Sequence, residues 1–438
     1  MGVPHFSWSY EPACATSGGD RGRKRLAVVL VATAALLLTP ALLPVGRAQA
    51  GVQPGAPGLR WVTSWAPSSV PAGTGDPYLT VSMPTNEAHN QSVRMIVRTT
   101  SPGDRIRIRL TNRFGNHAVS FGPVRVGLRY AGPSVQSGST RTLSFGGRPT
   151  VTVLPGADAV SDPLNFAVAA GTDLAVSLHV IGDSGAVTWH RWANAVTYVS
   201  GSGTGDKTAE DSGLSYGSVA LSWLWLDGLD TESSYRGTVV ALGDSITDGW
   251  EVLPDRSQTW PDVLAARLQA GPAQTQRAVV NAGIAGNQVT GPMSCGLCGP
   301  SALTRMNHDA FGLSGVTDLI VFEGTNDLGI GRSSATVIQG LAKVVAAARQ
   351  HGLRVFGATI TPRSDTGWQP SMEAGREAIN QWIRTSAHFD AVFDFDRALR
   401  DPVDQHRLLA AFDSGDSVHP NLLGLRTLGD SVDISRLG

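Results

Sequence analysis

Four short segments of this 438-residue chain carry side chains that could do chemistry together. They are Gly243-Asp244-Ser245 behind an apolar run, Asn281-Ala-Gly-Ile-Ala-Gly286, Gly324-Thr-Asn326-Asp327, and Asp416-Ser-Val-His419. Together they offer a hydroxyl nucleophile (Ser245), a base (His419) and a carboxylate to orient it (Asp416). Donors for an oxyanion come from the Ser245 and Gly286 backbone N–H groups and the Asn326 amide. These are the parts of acyl transfer. The i, i+3 spacing of Asp416 and His419 lets a turn set the carboxylate on Nδ1 while Nε2 points at a hydroxyl. Gly286 lacks a Cβ, so a ligand can come close to its N–H. Each residue also has a plainer reading. Gly286 serves equally as a turn glycine, and Asn326 as a turn or helix-cap residue.

Context has to choose among repeats of the same words. Gly-Asp-Ser occurs at 182–184, 243–245, 415–417 and 429–431. Only Ser245 directly follows a buried-strand pattern, and ligands in such sheets sit beyond the carboxyl ends of strands. Ser184 falls at a hairpin in a β-patterned region, and Ser431 in a helix or turn near the C-terminus. Gly213-Leu-Ser215-Tyr-Gly217 fits a nucleophile-elbow pattern but has no strand before it and no helix after it, so it reads as a loop.

The elements that must position these residues divide the chain in two. From 60 to 235 the pattern has period two. Arg105-Ile-Arg-Ile-Arg-Leu110 alternates strictly, turning Ile106, Ile108 and Leu110 to a core and three arginines outward. Further strands are expected at 92–100, 119–130, 150–154, 174–180 and 196–199, divided by Gly- and Pro-bearing turns. This region reads as an all-β sandwich. From 236 to 438 the texture changes. Thr238–Leu242 is nearly all apolar, as a strand buried on both faces should be. Helices (261–270, 336–351, 372–385) alternate with strands (278–281, 319–323, 353–360, 391–395), which implies a parallel sheet covered by helices on both faces.

With 42% hydrophobic and 16% charged residues, the chain can bury two large cores. A formal charge of −1 without long basic runs argues against a nucleic-acid partner. Residues 1–50 read as a signal peptide: a basic stretch at 21–25, an uncharged run from Leu26 to Val45, and Ala48-Gln-Ala50 as cleavage site. The rival reading is an N-terminal membrane anchor. Removing Arg21, Arg23, Lys24, Arg25 and Arg47 against Glu11 and Asp20 takes the charge from −1 to −4. Residues 51–59, rich in Gly and Pro, read as a linker. Cys14 leaves with the leader, and Cys295-Gly-Leu-Cys298 is expected to form a local disulfide. A zinc ion there would need more ligands than nearby His308 supplies, so no metal site is expected.

The four segments, in this order, resemble the SGNH (GDSL) hydrolase family over residues 237–438. Ser245 stands in its Gly-Asp-Ser block, Gly286 in Asn-x-Gly-x-x-Gly, Asn326 in Gly-x-Asn-Asp, and Asp416 with His419 in Asp-x-x-His. Ile246 replaces the leucine of the motif's name, a conservative change. The resemblance implies a three-layer α/β/α domain, hydrolysis of esters or thioesters, and no metal or cofactor. With its β region first, the chain is also similar to exported two-domain GDSL proteins of actinobacteria.

The reading is therefore a secreted, monomeric serine ester hydrolase acting on a small-molecule or glycan ester, with short-acyl esters such as O-acetylated carbohydrates favoured. Lipase, arylesterase or feruloyl-type esterase, acyltransferase, and a non-catalytic carbohydrate-binding protein stay open, because the motifs describe the carbonyl chemistry and not the pocket. The β region either shapes the rim of the site or binds carbohydrate or a cell surface through Trp189, Trp192, Trp223 or Trp225.

Overall fold

The structure is a computed structural model and describes residues 58–73, 83, 86–291 and 298–438. The expected leader, residues 51–57 of the linker, Cys14 and Cys295 lie outside the described residues. No described helix is long and apolar enough to cross a membrane.

Among the described residues, the first half is built on two large antiparallel sheets facing one core, with a two-stranded and a three-stranded sheet beside them. One sheet runs Arg60–Trp65, Leu226–Ser233, Gly103–Thr111 and Asp158–Val160, with Leu164–Val168 also paired to Gly103–Thr111. The other runs Ser218–Ala220, Thr197–Val199, Ser92–Arg98, Asp173–Ile181 and Val119–Ala131, and three short strands extend that last one. Alternation places the side chains: Ile106, Ile108 and Leu110 from the first sheet meet Val93, Met95 and Val97 from the second. The expected sandwich is present. Its arginine stripe is not simply solvated, however. Arg105, Arg107 and Arg109 pair with Glu232, Asp230 and Asp227 on the neighbouring strand. Arg107 and Arg109 also donate to Ser314 Oγ and the Gly312 carbonyl in the second half, each at 2.9 Å. The stripe is a seam, and both halves belong to one compact unit, Val52–Gly438.

The second half is a five-stranded parallel sheet. Numbered along this half, its strands Thr238–Gly243, Ala278–Gly283, Val316–Phe322, Arg354–Ala358 and Ala391–Phe393 stand in the order 2-1-3-4-5. Among the described residues, eight α-helices follow the chain: α1 (Ser245–Asp248), α2 (Trp260–Ala270), α3 (Ala302–Met306), α4 (Thr325–Gly329), α5 (Ser334–Gln350), α6 (Pro370–Thr385), α7 (Phe395–Leu399) and α8 (Leu422–Ser431). Successive strand residues feed opposite cores. Val240 and Leu242 pack with Val337, Leu341 and Val344 of α5 and with α6. Val239 and Ala241 pack with Leu264 and Leu268 of α2, and with α7 and α8. This is the expected three-layer α/β/α arrangement, and it explains why the strands lack polar alternation.

Local chemistry sets the ends of the helices. Thr259 and Asp262 form a capping box at α2, with Pro261 in the first turn. Ser333 caps α5 through the Thr336 N–H. The last strand stops at Phe393, short of the expected Phe395, because the Asp394 side chain accepts from Arg397 N and opens α7.

Candidate active site

Ser245, Gly286 and Asn326 each lie just past the carboxyl end of a sheet strand, and Asp416 and His419 come from the loop before α8. After Gly243 the chain turns sharply into α1. Asp244 caps that helix by accepting the Ile246 N–H at 3.0 Å, and Ser245 is its first residue. Ser245 N–H therefore lies ahead of the helical hydrogen-bond ladder. Two glycines let α1 lie this close. A Cβ on Gly243 would sit 2.1 Å from Thr247 Oγ1, and one on Gly283 would sit 2.2 Å from the Asp248 nitrogen.

His419 arrives from a loop that organises itself. Asp413 Oδ1 accepts the Gly415 and Ser417 N–H groups, and Ser417 holds a left-handed φ of 63°. Asp416 then uses its oxygens separately. Oδ1 accepts the N–H groups of Val418 (2.9 Å) and His419 (2.8 Å), and Oδ2 lies 2.5 Å from His419 Nδ1. Partial burial works to raise the Asp416 pKa. The imidazole and the two N–H donors outweigh it and hold the carboxyl well below the usual range. With Nδ1–H given to Asp416, Nε2 is the acceptor, and Ser245 Oγ stands 2.8 Å from it. A hydroxyl beside an imidazole held by a carboxylate is an arrangement for nucleophilic attack.

Gly286 sits at φ +77°, with the Cys298 sulfur 2.7 Å from where its Cβ would be. Cys298 is disulfide-bonded. Carboxylates pin this loop on both sides. Asp248 Oδ2 accepts the Ala285 N–H at 2.9 Å, and Asp327 Oδ2 accepts the Val289 N–H at 2.8 Å. Asn326 Nδ2 donates to the Asn287 carbonyl at 2.9 Å, which ties its amide to the residue after Gly286. One amide hydrogen is thereby committed, and the amide carries a second. The structure thus links Ser245 to His419 and Asp416, and Asn326 to the Gly286 loop.

Several supporting residues belong to no motif in the sequence. Arg305 of α3 is fully buried and donates to Gly243 O, Ala282 O, Asn287 Oδ1 and Ser68 Oγ at 2.8–3.0 Å. It fastens the strand ends beneath Ser245 to the Gly286 loop and to the β region. His190, from the β region, is buried between the Ser68 carbonyl at Nδ1 (2.7 Å) and both Asp248 Oδ1 (3.1 Å) and the Trp192 carbonyl at Nε2. Acceptors on both nitrogens call for an imidazolium. Burial opposes that charge, but Asp248 outweighs it and the His190 pKa is raised. Beneath the nucleophile, burial pushes Asp244 up to about 6, and burial together with Asp244 pushes Glu323 well above the usual carboxylate range.

Of the four tryptophans considered as a binding face, Trp189, Trp223 and Trp225 are buried in the sandwich core. A left-handed Trp225 (φ 56°) interrupts the strand between Trp223 and Leu226. Trp192 alone reaches the site. It stacks on Trp250 at 4.6 Å between ring centres, and Trp250 stacks on His419 at 5.2 Å.

A parallel sheet with a serine, an imidazole and a carboxylate joined at its carboxyl edge defines a serine hydrolase of the α/β class. Residues 241–426 match the GDSL-like Lipase/Acylhydrolase family, and this part of the chain is an SGNH/GDSL hydrolase domain. The protein is therefore a carboxylic ester hydrolase that uses a serine. No curated protein matches the sequence.

Among similar solved structures is a member of the lipolytic protein G-D-S-L family from Veillonella parvula DSM 2008. It is 21% identical, covers 44% of this chain and 94% of its own, and has a TM-score of 0.35. A carbohydrate acetylesterase family member from Sinorhizobium meliloti is 16% identical, covering 44% and 94%, with a TM-score of 0.37. A GDSL-like lipase from Bacteroides thetaiotaomicron VPI-5482 is 16% identical, covering 46% and 88%, with a TM-score of 0.35. Likenesses this distant say nothing about substrate.

Proposed function

We propose that the protein is an exported hydrolase of short-acyl carboxylic esters, O-acetylated carbohydrates among them, working through an acyl-enzyme on Ser245. The observation that carries this reading is the hydrogen-bonded chain Ser245 Oγ, His419 Nε2, His419 Nδ1 and Asp416 Oδ2, at 2.8 and 2.5 Å. In it, His419 takes the Ser245 proton as Oγ attacks the ester carbonyl. Asp416 keeps the imidazole in the productive tautomer and stabilises the imidazolium. The tetrahedral oxyanion is held by the Ser245 and Gly286 N–H groups and the Asn326 amide. His419 then protonates the departing alcohol, and later activates the water that releases the acid.

The stacked Trp192 and Trp250 beside His419 support an alcohol with a flat apolar face, such as a sugar ring. Export is supported by the leader-like residues 1–50 and by a disulfide at Cys298, since such bonds persist in oxidising compartments. The β region acts in this reading as part of the rim, through His190 and Trp192, and the protein works as a monomer.

Hydrolysis of p-nitrophenyl esters from acetate to palmitate, by the chain from Gly51 and by its Ser245→Ala variant, tests the proposal. Activity highest on acetate or butyrate and lost in the variant supports it, and acetylated glycans follow as substrates. Activity rising toward palmitate makes the protein a lipase instead. Wild-type inactivity on every ester overturns the hydrolytic reading in favour of acyl transfer or binding.

A further inference from the structure

A second histidine sits in surroundings unlike the first. His308 follows α3, at the seam with the β region. Its Nδ1 hydrogen-bonds Asp309 Oδ1 at 2.9 Å. Its Nε2 faces Asp158 Oδ2 and Asp227 Oδ2, each 3.4 Å away. Those separations are long for hydrogen bonds, whose donor–acceptor distances run about 2.7–3.2 Å. His308 Nε2 and Asp227 Oδ2 are both buried atoms without a hydrogen-bond partner. Asp227 is only 1% exposed, and its Oδ2 is offset only by Arg109 at 3.8 Å and His308 at 3.4 Å, both beyond hydrogen-bond distance, so a closer occupant would stabilise it.

The three donor atoms lie within 4.8 Å of one another. With two sides of that triangle at 3.4 Å and the third no longer than 4.8 Å, the point equidistant from all three lies at most about 2.4 Å from each, within reach of metal–nitrogen and metal–oxygen bonds. The neighbouring carboxylate suits such a site as well. Asp309 takes the Nδ1–H, which fixes the tautomer that leaves the Nε2 lone pair facing the cluster, the usual support for a metal-ligating imidazole.

The geometry points to a divalent transition-metal site, best suited to zinc, formed by His308 Nε2, Asp158 and Asp227. One imidazole and two carboxylates match zinc's donor preferences. Asp158 is the exposed member, which leaves that side open to a water as fourth ligand. Two ligands come from strands of the β region and one from the segment after α3, so the ion would act as a staple across the seam. It would not be a catalytic metal, since Ser245 and His419 belong to a separate cluster.

Other charges face this place too. Arg109 lies 3.8 Å from Asp227 Oδ2, and Asp309 is contacted by Arg113 (3.5 Å) and Arg305 (3.1 Å). The rival occupant is a proton on Nε2. Burial alone would lower the His308 pKa, but the surrounding Asp158, Asp309 and Asp227 raise it to about 10 in the absence of an ion.

Zinc titration of the EDTA-treated, dialysed full chain separates the two occupants. The expected result is one zinc per chain, with chelator lowering Tm by about 3–6 °C relative to the zinc-loaded protein. Asp227→Asn and His308→Gln should each weaken zinc binding at least about 100-fold and abolish the chelator effect. Asp158→Asn, at the exposed ligand, repeats the test without disturbing buried packing. His406→Gln, in an exposed second cluster with Glu373 and Glu377, should leave zinc binding unchanged. Absence of stoichiometric zinc in the wild type, binding unaltered in Asp158→Asn, or loss only in His406→Gln would each overturn the assignment. Ester hydrolysis at 25 °C is read separately, so failure of the zinc site leaves the Ser245 reading standing.

Discussion

His419 and His308 have half of their surroundings in common. Each gives Nδ1 to an aspartate close in sequence, Asp416 for one and Asp309 for the other. They part at Nε2, which meets a serine hydroxyl at 2.8 Å in one case and two carboxylates at 3.4 Å in the other. A proton can pass from hydroxyl to imidazole and back, so the first arrangement suits a base. Two carboxyl groups concentrate negative charge around the nitrogen, so the second suits a cation. What an imidazole does is set by the group opposite the nitrogen its carboxylate leaves free.

The comparison breaks first at Ser245. Ser245→Ala should cut kcat by roughly 10⁴–10⁶ and abolish fluorophosphonate labelling, while His308→Gln leaves kcat within about threefold at 25 °C. If both variants lost activity equally, the two histidines would not be functionally distinct. Asp416→Asn comes next, with kcat reduced by roughly 10³–10⁴ and a folded far-UV spectrum, because the imidazole loses the partner that fixes its tautomer. Asn326→Ala should lower kcat by roughly 10²–10³ with little change in KM, as expected for a donor that acts on the oxyanion. Turnover near wild type would remove Asn326 from that role.

The smallest effects sharpen how the β region joins the site. Trp192→Ala should raise KM for sugar or aryl esters roughly five- to tenfold, with a smaller change in kcat. His190→Gln tests the buried pair with Asp248. The His190 pKa is raised on folding, so its contribution is complete below the unfolded value of about 6.5 and fades as pH climbs through the folded value. The Tm difference between wild type and His190→Gln should therefore be widest near pH 5.5 and narrow on the alkaline side. A gap that widened with pH would mean that His190 is neutral in the fold.

One of these two clusters is written in the sequence and the other is not. Asp416 and His419 stand three residues apart, and a local turn joins them, so spacing alone pointed to the pair. Ser245, Gly286 and Asn326 each follow an apolar strand, and a parallel sheet delivers such positions to one edge. Asp158, Asp227 and His308 meet only because two strands of a sandwich pack on a helix of the other half, and no periodicity encodes that. The strand Leu226–Ser233 was equally hidden. Its Asp227, Asp230 and Glu232 look solvated, yet they are buried because they pair with Arg109, Arg107 and Arg105. Those arginines were expected to face outward, and they do leave the sandwich core, but a second layer of protein covers that face.

Arg305 gives the boundary near residue 236 a different meaning. A gene fragment starting there would encode all four motif segments. It would still lack Ser68, which accepts one of the guanidinium's hydrogen bonds, and His190, which steadies Asp248. The change of texture in the sequence marks where one folding pattern succeeds another, not a place to cut. Recombination or protein engineering that exchanges the hydrolase half between relatives would have to carry the β half with it.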